Sequence, residues 1–150
     1  MKTLLLILLL ASVAIAQSIE YGKPSDLKGV RRIFVDTGTD LNDRERIIKE
    51  IKKAKLDVEI LSSPDGAELI LSFTSEKSKE IADIKTSKPI VEGFPARSRV
   101  TYEEVESGKG AAYAPLPNRR RVLFSWEKEG SASNFASAFI KEFKKANGLK

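Results

Sequence analysis

Two segments of the chain carry apolar residues at helical spacing. From Leu41 to about Lys55 they recur every three or four positions, and Asp40 stands before them as a candidate N-cap. From about Ala132 to Ala146, alanine and phenylalanine form a continuous apolar stripe, and Asn147-Gly148 follows as a stop signal. The pattern predicts two amphipathic helices, each packed on a core through one face.

Shorter apolar runs bounded by turn residues predict strands at 31–36, 57–61, 69–73, 99–105, 111–114 and 122–126. The first two runs flank the first helix, which implies a parallel pair with a right-handed crossover. The run 69–73 begins apolar on both faces, so we expect it in the middle of the sheet. Ser107-Gly108-Lys109-Gly110 predicts a hairpin turn between the fourth and fifth runs.

The order of these elements predicts an α+β fold in the order β-α-β-β-β-β-β-α. We expect one mixed sheet of about five to six strands with both main helices on one face. Residues 31–150 would form this single domain after an extended lead-in over 17–30. Residues 75–97 are polar, and the pattern there leaves open a short helix from Ser78 to Lys85 or a loop.

The N-terminus has the pattern of a secretion signal. Lys2 precedes an apolar run that begins at Leu4, and Ala14 and Ala16 form a small-x-small cleavage signal. We therefore expect residues 1–16 to be removed, Gln17 to begin the mature chain, and the protein to be secreted or periplasmic. No cysteine follows the run, so lipoprotein processing is excluded, and we expect no stable membrane span after cleavage.

The amino-acid composition excludes several kinds of catalytic and metal site. The chain has no histidine and no cysteine, which excludes a histidine general base, thiol nucleophiles, disulfides and thiolate zinc sites. The 26 lysines and arginines exceed the 21 aspartates and glutamates, so the formal net charge is +5. Carboxylates, lysine, tyrosine, serine or an oxygen-ligated Mg²⁺ or Ca²⁺ are the catalytic options left. The sequence implies no cofactor and does not specify an oligomeric state.

Three acids lie where the first strand passes into the first helix. Asp36, Asp40 and Asp43 are spaced so that they fit turn and helix-cap roles, in which carboxylates accept backbone amide protons. The same acids allow an alternative, a carboxylate- or metal-dependent hydrolase built around them. Their spacing does not match a calcium-binding loop, so the turn and cap roles are the simpler interpretation.

The basic residues form short clusters that are candidates for binding an anion or a partner: Arg97, Arg99, Arg119, Arg120 and Arg121. If the strands bring some of them to one end of the sheet, they would suit another envelope protein or an anionic surface of lipid headgroups or polysaccharide. The alternative is a solvated turn with edge-strand charges that prevent aggregation. Nucleic acid is not expected as the partner of an exported chain.

The segment from Arg31 to Phe73 is a strand, a helix and a strand, followed by the turn and strand Pro64-Asp65-Gly66-Ala67-Glu68-Leu69-Ile70-Leu71. This order resembles the small α/β modules of bacterial envelope proteins, such as the curli-secretion CsgG type and the TolB N-terminal domain. The resemblance implies a module that binds other envelope proteins and catalyses nothing, and it carries over no functional residue. We therefore expect an exported, non-enzymatic binding or accessory module, with the hydrolase as the alternative.

Overall fold

The computed structural model describes residues 18–87 and 97–150, which form six strands and two helices. The strands are β1 (Ser18–Tyr21), β2 (Arg32–Asp36), β3 (Glu59–Leu61), β4 (Leu69–Ser87), β5 (Arg97–Leu116) and β6 (Arg119–Glu129); the helices are α1 (Leu41–Lys53) and α2 (Ala132–Ala146). The predicted α+β class is confirmed. The predicted signal residues, including Ala14, Ala16 and Gln17, lie outside the described residues.

One mixed sheet contains all six strands, in the order β1-β6-β5-β4-β2-β3. β5 runs antiparallel to both of its neighbours, and the other adjacent pairs are parallel. The predicted parallel pair on either side of α1 is confirmed as β2 and β3. β4 lies between β5 and β2, so its expected interior place in the sheet is also confirmed.

Both helices pack on the same face of the sheet, as predicted. The phenylalanine stripe of α2 meets aromatic residues of the strands, with the ring centroids of Phe135 and Phe73 at 5.3 Å. Ile47 and Ile51 of α1 join the same buried cluster, which also contains Ile33 of β2. Burial of this amphipathic surface is the main source of stability for a sheet with helices on one face.

The predicted lead-in over 17–30 is more structured than an extended strand alone. It contains β1 and a 3₁₀ turn at Pro24–Leu27, and Leu27 is fully buried. Asn147, just past α2, holds this segment: its Oδ1 accepts the Gly29 amide proton at 2.9 Å, and its Nδ2 donates to the Leu27 carbonyl at 3.3 Å. Gly148 follows with φ 65°, as the predicted stop signal requires.

The prediction of a hairpin turn at 107–110 was wrong, because these residues lie in the middle of β5. Their glycines serve close packing rather than a turn. A Cβ atom on Gly110 would lie 2.3 Å from Cδ2 of Phe135, and one on Gly108 would lie 2.7 Å from the ring of Phe73. Because these glycines have no side chain, the aromatic rings of the core lie directly against β5.

The polar segment after Phe73 forms neither of the structures that the sequence left open. β4 continues to Ser87 and pairs with β5 back to Arg97, so there is no helix from Ser78. β2 pairs with β4 only as far as Ser72, and β6 pairs with β5 only from residue 107. Residues 76–87 and 97–106 therefore form a two-stranded ribbon beyond the sheet, which we call the arm; the rest of the described fold is the body.

Candidate functional site

The three acids of the hydrolase alternative lie between β2 and α1, and two of them bind the local backbone. Asp36 Oδ1 accepts the amide proton of Gly38 at 3.0 Å, and Asp40 Oδ1 accepts that of Asp43 at 3.0 Å. Gly38 has φ 59°, a turn conformation that a glycine adopts without strain. The predicted turn and cap roles of Asp36 and Asp40 are confirmed.

Asp43 is the buried member of the three, with only 4 % of its surface exposed. Its carboxylate accepts a hydrogen bond from Ser75 Oγ at 3.0 Å and lies 3.4 Å from Arg46 Nη1. These contacts join the start of α1 to β4 at the base of the arm. Within the described ranges, no three acidic side chains gather closely enough to hold a metal ion together.

The arginines at 119–121 do not form one patch, because side chains alternate along a strand. Arg119 and Arg121 lie on the side of Glu20 and Asp26: Arg119 Nη1 is 3.5 Å from Glu20 Oε2, and Arg121 Nη2 is 3.3 Å from Asp26 Oδ2. Arg120 lies on the other face of the sheet, with its guanidinium carbon 5.1 Å from the ring centroid of Tyr113. The three arginines are thus divided between two surfaces.

The structure also separates Arg97 and Arg99 from these arginines. Arg99 lies on the arm opposite Lys85, whereas Arg121 lies opposite Ala114 near the far end of β5. The fifteen or so residues between these positions correspond to about 50 Å along an extended strand. The five candidate arginines therefore do not meet at one end of the sheet.

A different set of residues comes together on the face of the sheet opposite the helices, which we call the helix-free face. Directly opposed residues on adjacent strands share a face. Following them from β1 to β3 gives one row across all six strands, the cross-sheet row: Tyr21, Val122, Tyr113, Ile70, Phe34 and Leu61. Each of these six residues is aliphatic or aromatic.

Exposure varies along the cross-sheet row. Ile70, in the middle, is buried, whereas Tyr21 at one end is 78 % exposed and its neighbour Ile19 is 61 % exposed. Two arginines lie over the aromatic rings: Arg120 over Tyr113, and Arg44 over Phe34 with 5.4 Å between the guanidinium carbon and the ring centroid. Such cation–π contacts contribute about 0.5–1 kcal/mol each at exposed sites. Arg120 adds delocalised positive charge to the apolar surface of this face, whereas Arg44 belongs to α1.

Sequence reasoning missed the cross-sheet row, although a signal for it exists. Phe34 lies between two core residues of β2, and Ile70 lies between two core residues of β4, so both strands are apolar on both faces. A strand that is apolar on both faces has one apolar face toward the core and a second apolar face on the other side of the sheet. Of the other aromatic residues on β5 and β6, Trp126 belongs to the core and Tyr102 to the arm.

Residues of opposite charge face each other across the inner half of the arm. Lys77 lies opposite Glu106, and Lys79 lies opposite Glu104. Farther out, Tyr102 is 60 % exposed and Val100 is 39 % exposed. Opposite-charge cross-strand pairs stabilise a ribbon by a few tenths of a kcal/mol each, and exposed apolar residues at its outer end mark a surface that can be covered.

Comparison with known proteins adds no functional assignment. The chain matches no family model and no curated protein. Neither helix of the described part of the chain has the length and apolar character needed to cross a membrane.

Proposed function

We propose that this protein is an exported, non-enzymatic module that binds another protein of the cell envelope, and that this partner docks on the helix-free face. The observation that carries the proposal is the cross-sheet row with arginines over two of its rings. A soluble sheet that needed only one buried face would present polar residues on the other face. Here one row of the second face is apolar on all six strands, and the row beside it contains Asp36, Ser72 and Ser125.

The composition of this face favours a protein partner over a small ligand or a polyanion. Tyrosine and arginine are enriched in the centres of protein interfaces, where a flat aromatic surface and a guanidinium group bury area with little loss of side-chain freedom. Acidic residues lie close to the basic ones: Glu68 Oε1 is 3.3 Å from Arg32 Nη2 on β2. Such pairing reduces the positive potential that a polyanion requires.

The contacts of the three acids support a non-enzymatic role. Asp36 and Asp40 hold backbone amides of their own loop, and Asp43 holds Ser75. A carboxylate engaged in this way stabilises the fold and is not directed toward a substrate. Export is supported by the N-terminal pattern of Lys2, the apolar run and the Ala14–Ala16 cleavage signal.

Adjacent arginines of β6 provide a matched test of the docking face. We expect the exported protein, with Gln17 at its N-terminus, to bind a defined envelope protein in a saturable, stoichiometric way. Arg120→Ser, combined with Tyr113→Ser, should weaken this binding at least about tenfold, because it removes an interface anchor. Arg119→Ser is the control, since it changes a neighbouring arginine that lies with Glu20 on the other side of the strand.

Three results would overturn the proposal. Equal loss of binding in Arg119→Ser and in the Arg120 variant would place the partner elsewhere. Salt-sensitive retention on heparin that falls with Arg119→Ser and Arg121→Ser would indicate a polyanion as the partner instead. N-terminal sequencing that finds Met1 on the protein in cells would contradict export.

A further inference from the structure

The arm has an edge that the fold leaves unpaired. β6 pairs with β5 only from residue 107 onward, and the Glu106 carbonyl still accepts the amide proton of Gly130 at 2.8 Å, so the backbone of β5 from Arg97 to Val105 has β4 on one side and no described strand on the other. A two-stranded ribbon is marginally stable by itself in water, and an open strand edge is a template for pairing with another strand. The open β5 edge of the arm can therefore pair with a strand of another chain.

Charge inside the arm is arranged unfavourably at two positions. Glu80 of β4 lies opposite Glu103 of β5, and Lys85 lies opposite Arg99. Like charges directly opposite each other destabilise a strand pair. The inner half of the arm shows that favourable pairs occur in the same ribbon, because Lys77 and Lys79 lie opposite glutamates. The two unfavourable rows would both be relieved by a third strand that brings the opposite charge to each.

The β5 strand of a second copy of the chain has the sequence that this third strand requires. Read outward from Thr101, the segment Arg99-Val100-Thr101-Tyr102-Glu103 is complementary to its own reverse. We propose that two copies of this chain pair through antiparallel β5 edges, with a twofold axis at Thr101. In this register Arg99 lies opposite the partner's Glu103, Val100 opposite the partner's Tyr102, and Thr101 opposite the partner's Thr101.

These pairs are of the kinds that stabilise antiparallel strands: opposite charges, an aromatic with a β-branched residue, and two threonines. The two arms together become a four-stranded sheet. Each charged row then changes sign at its centre, because Glu103 next to Glu80 meets the partner's Arg99, which lies next to the partner's Lys85. On the opposite face, the register aligns the positions of Ile81 and Tyr102 with the partner's Val100 and Ile84. These positions, all apolar or aromatic, form a continuous row across the four strands.

Two other registers of the arms are less complementary. An axis at Tyr102 would set Thr101 against the partner's Glu103 and Val100 against the partner's Glu104. On the free edge of β4, an axis at Ser78 would set Lys77 against the partner's Lys79. The dimer uses the edge of the arm and leaves the helix-free face of the body available, so it is independent of the proposed envelope partner.

Two charge reversals test this interface without weakening the arm. Arg99→Glu places a carboxylate opposite Lys85, and Glu103→Arg places a guanidinium opposite Glu80, so each change improves a pair within its own chain. Each variant alone sets like charges against each other twice across the dimer. We expect sedimentation equilibrium of the intact chain to show a dimer for wild type and a dimer Kd raised at least about tenfold for each variant.

Mixing the two variants provides the rescue. In a mixed dimer the carboxylate introduced by Arg99→Glu meets the guanidinium introduced by Glu103→Arg, and the two unchanged residues meet each other. A 1:1 mixture should therefore dimerise about as tightly as wild type, although neither variant does so alone. A wild type that is monomeric at every accessible concentration overturns the proposal, as does a dimer that neither reversal weakens or a mixture that shows no rescue.

Cysteine cross-linking tests the register. The chain has no cysteine, so Thr101→Cys introduces its single thiol. Opposed Cα atoms in an antiparallel pair are about 4.5–5.5 Å apart, within the range that a disulfide spans. Glu104→Cys is the matched control, because two copies of position 104 would lie about 20 Å apart. Oxidation should link Thr101→Cys dimers and leave Glu104→Cys unlinked; equal linking of both variants contradicts the twofold axis at Thr101.

Discussion

β4 and β5 run through both the body and the arm, and different interactions stabilise them in the two regions. In the body, Leu71 and Phe73 of β4 are buried under the helices, and Gly110 of β5 lies against Phe135. In the arm, the same face of the same strands carries Lys77 and Lys79 opposite glutamates. Body strands are held by burial of apolar area, whereas arm strands are held by backbone pairing and cross-strand charges.

Truncation of one aromatic residue in each region should show the largest contrast. Phe135→Ala removes a fully buried ring that stacks on Phe73 and lies 6.0 Å from Trp126 between ring centroids. We expect it to lower the free energy of unfolding by about 3–5 kcal/mol, since it leaves a cavity in the core. Tyr102→Ala on the arm should lower it by less than about 1 kcal/mol, because that ring is largely exposed.

Chemical denaturation of both variants, at a protein concentration low enough to keep the chain monomeric, provides the measurement. A loss for Tyr102→Ala as large as that for Phe135→Ala would mean that the arm is part of the cooperative core. The distinction between body and arm would then be wrong.

Much of the body could be predicted from the sequence, because its signals are local. The phenylalanine stripe predicted α2 with its observed bounds, and the apolar runs on either side of α1 predicted the parallel pair β2 and β3. The run 69–73, apolar on both faces, predicted an interior strand. In each case the period of apolar residues within one element was sufficient.

The errors came where a residue's role depends on partners far along the chain. Gly108 and Gly110 have the composition of a turn, but their neighbours in space, Phe73, Trp126 and Phe135, lie up to 35 residues away. The polar residues after Phe73 lack an apolar strand period because no layer of the core selects one there; their partners lie on the other strand of the arm, as Lys77 opposite Glu106 and Lys79 opposite Glu104. For the site, the three arginines at 119–121 were expected to act together before a strand beginning at 122, whereas β6 already begins at Arg119, so strand alternation turns Arg120 away from its neighbours.

Gly110 allows a smaller test of how tightly the body is packed. Gly110→Ala places a methyl group where Phe135 now lies, so the ring or α2 must move. Overpacking of this kind costs about 1–3 kcal/mol, and we expect a loss of stability in this range by chemical denaturation. Ser107→Ala, at an exposed position of the same strand, is the control and should change stability by less than about 0.5 kcal/mol.

If Gly110→Ala is as stable as Ser107→Ala, α2 does not lie directly on β5. The interpretation of the glycine pair as a packing feature would then fail, and their role as turn residues would need to be considered again for this segment.

The smallest expected effect concerns two carboxylates, one at the start of β4 and one in the arm. Glu68 accepts hydrogen bonds from the backbone amides of Arg31 at 2.7 Å and Arg32 at 3.2 Å. These bonds favour the charged form, so they lower the pKa of Glu68 below its ordinary value of 4.5. Glu104 lies on the arm opposite Lys79 and is exposed.

A carboxyl whose pKa is lowered by folding contributes stability that is fully present above the unfolded pKa. That contribution is lost as the pH falls through the lower pKa of the folded state. Glu68→Gln should therefore be less stable than wild type at neutral pH, and the difference should close as the pH falls below 4.5. Glu104→Gln should differ little from wild type at neutral pH, and salt should reduce that difference further, because an exposed pair is screened.

Unfolding midpoints of the three proteins, measured from neutral pH into the acid range, decide between these expectations. If the difference in stability between Glu68→Gln and wild type stays constant with pH, the backbone amides of Arg31 and Arg32 do not favour the charged form of Glu68. A difference that disappears with salt at neutral pH would make Glu68 equivalent to the arm carboxylate. Only a pH-dependent, salt-resistant difference assigns Glu68 to the body, where two backbone amides bind it, and leaves Glu104 to the arm, where an exposed lysine lies opposite it.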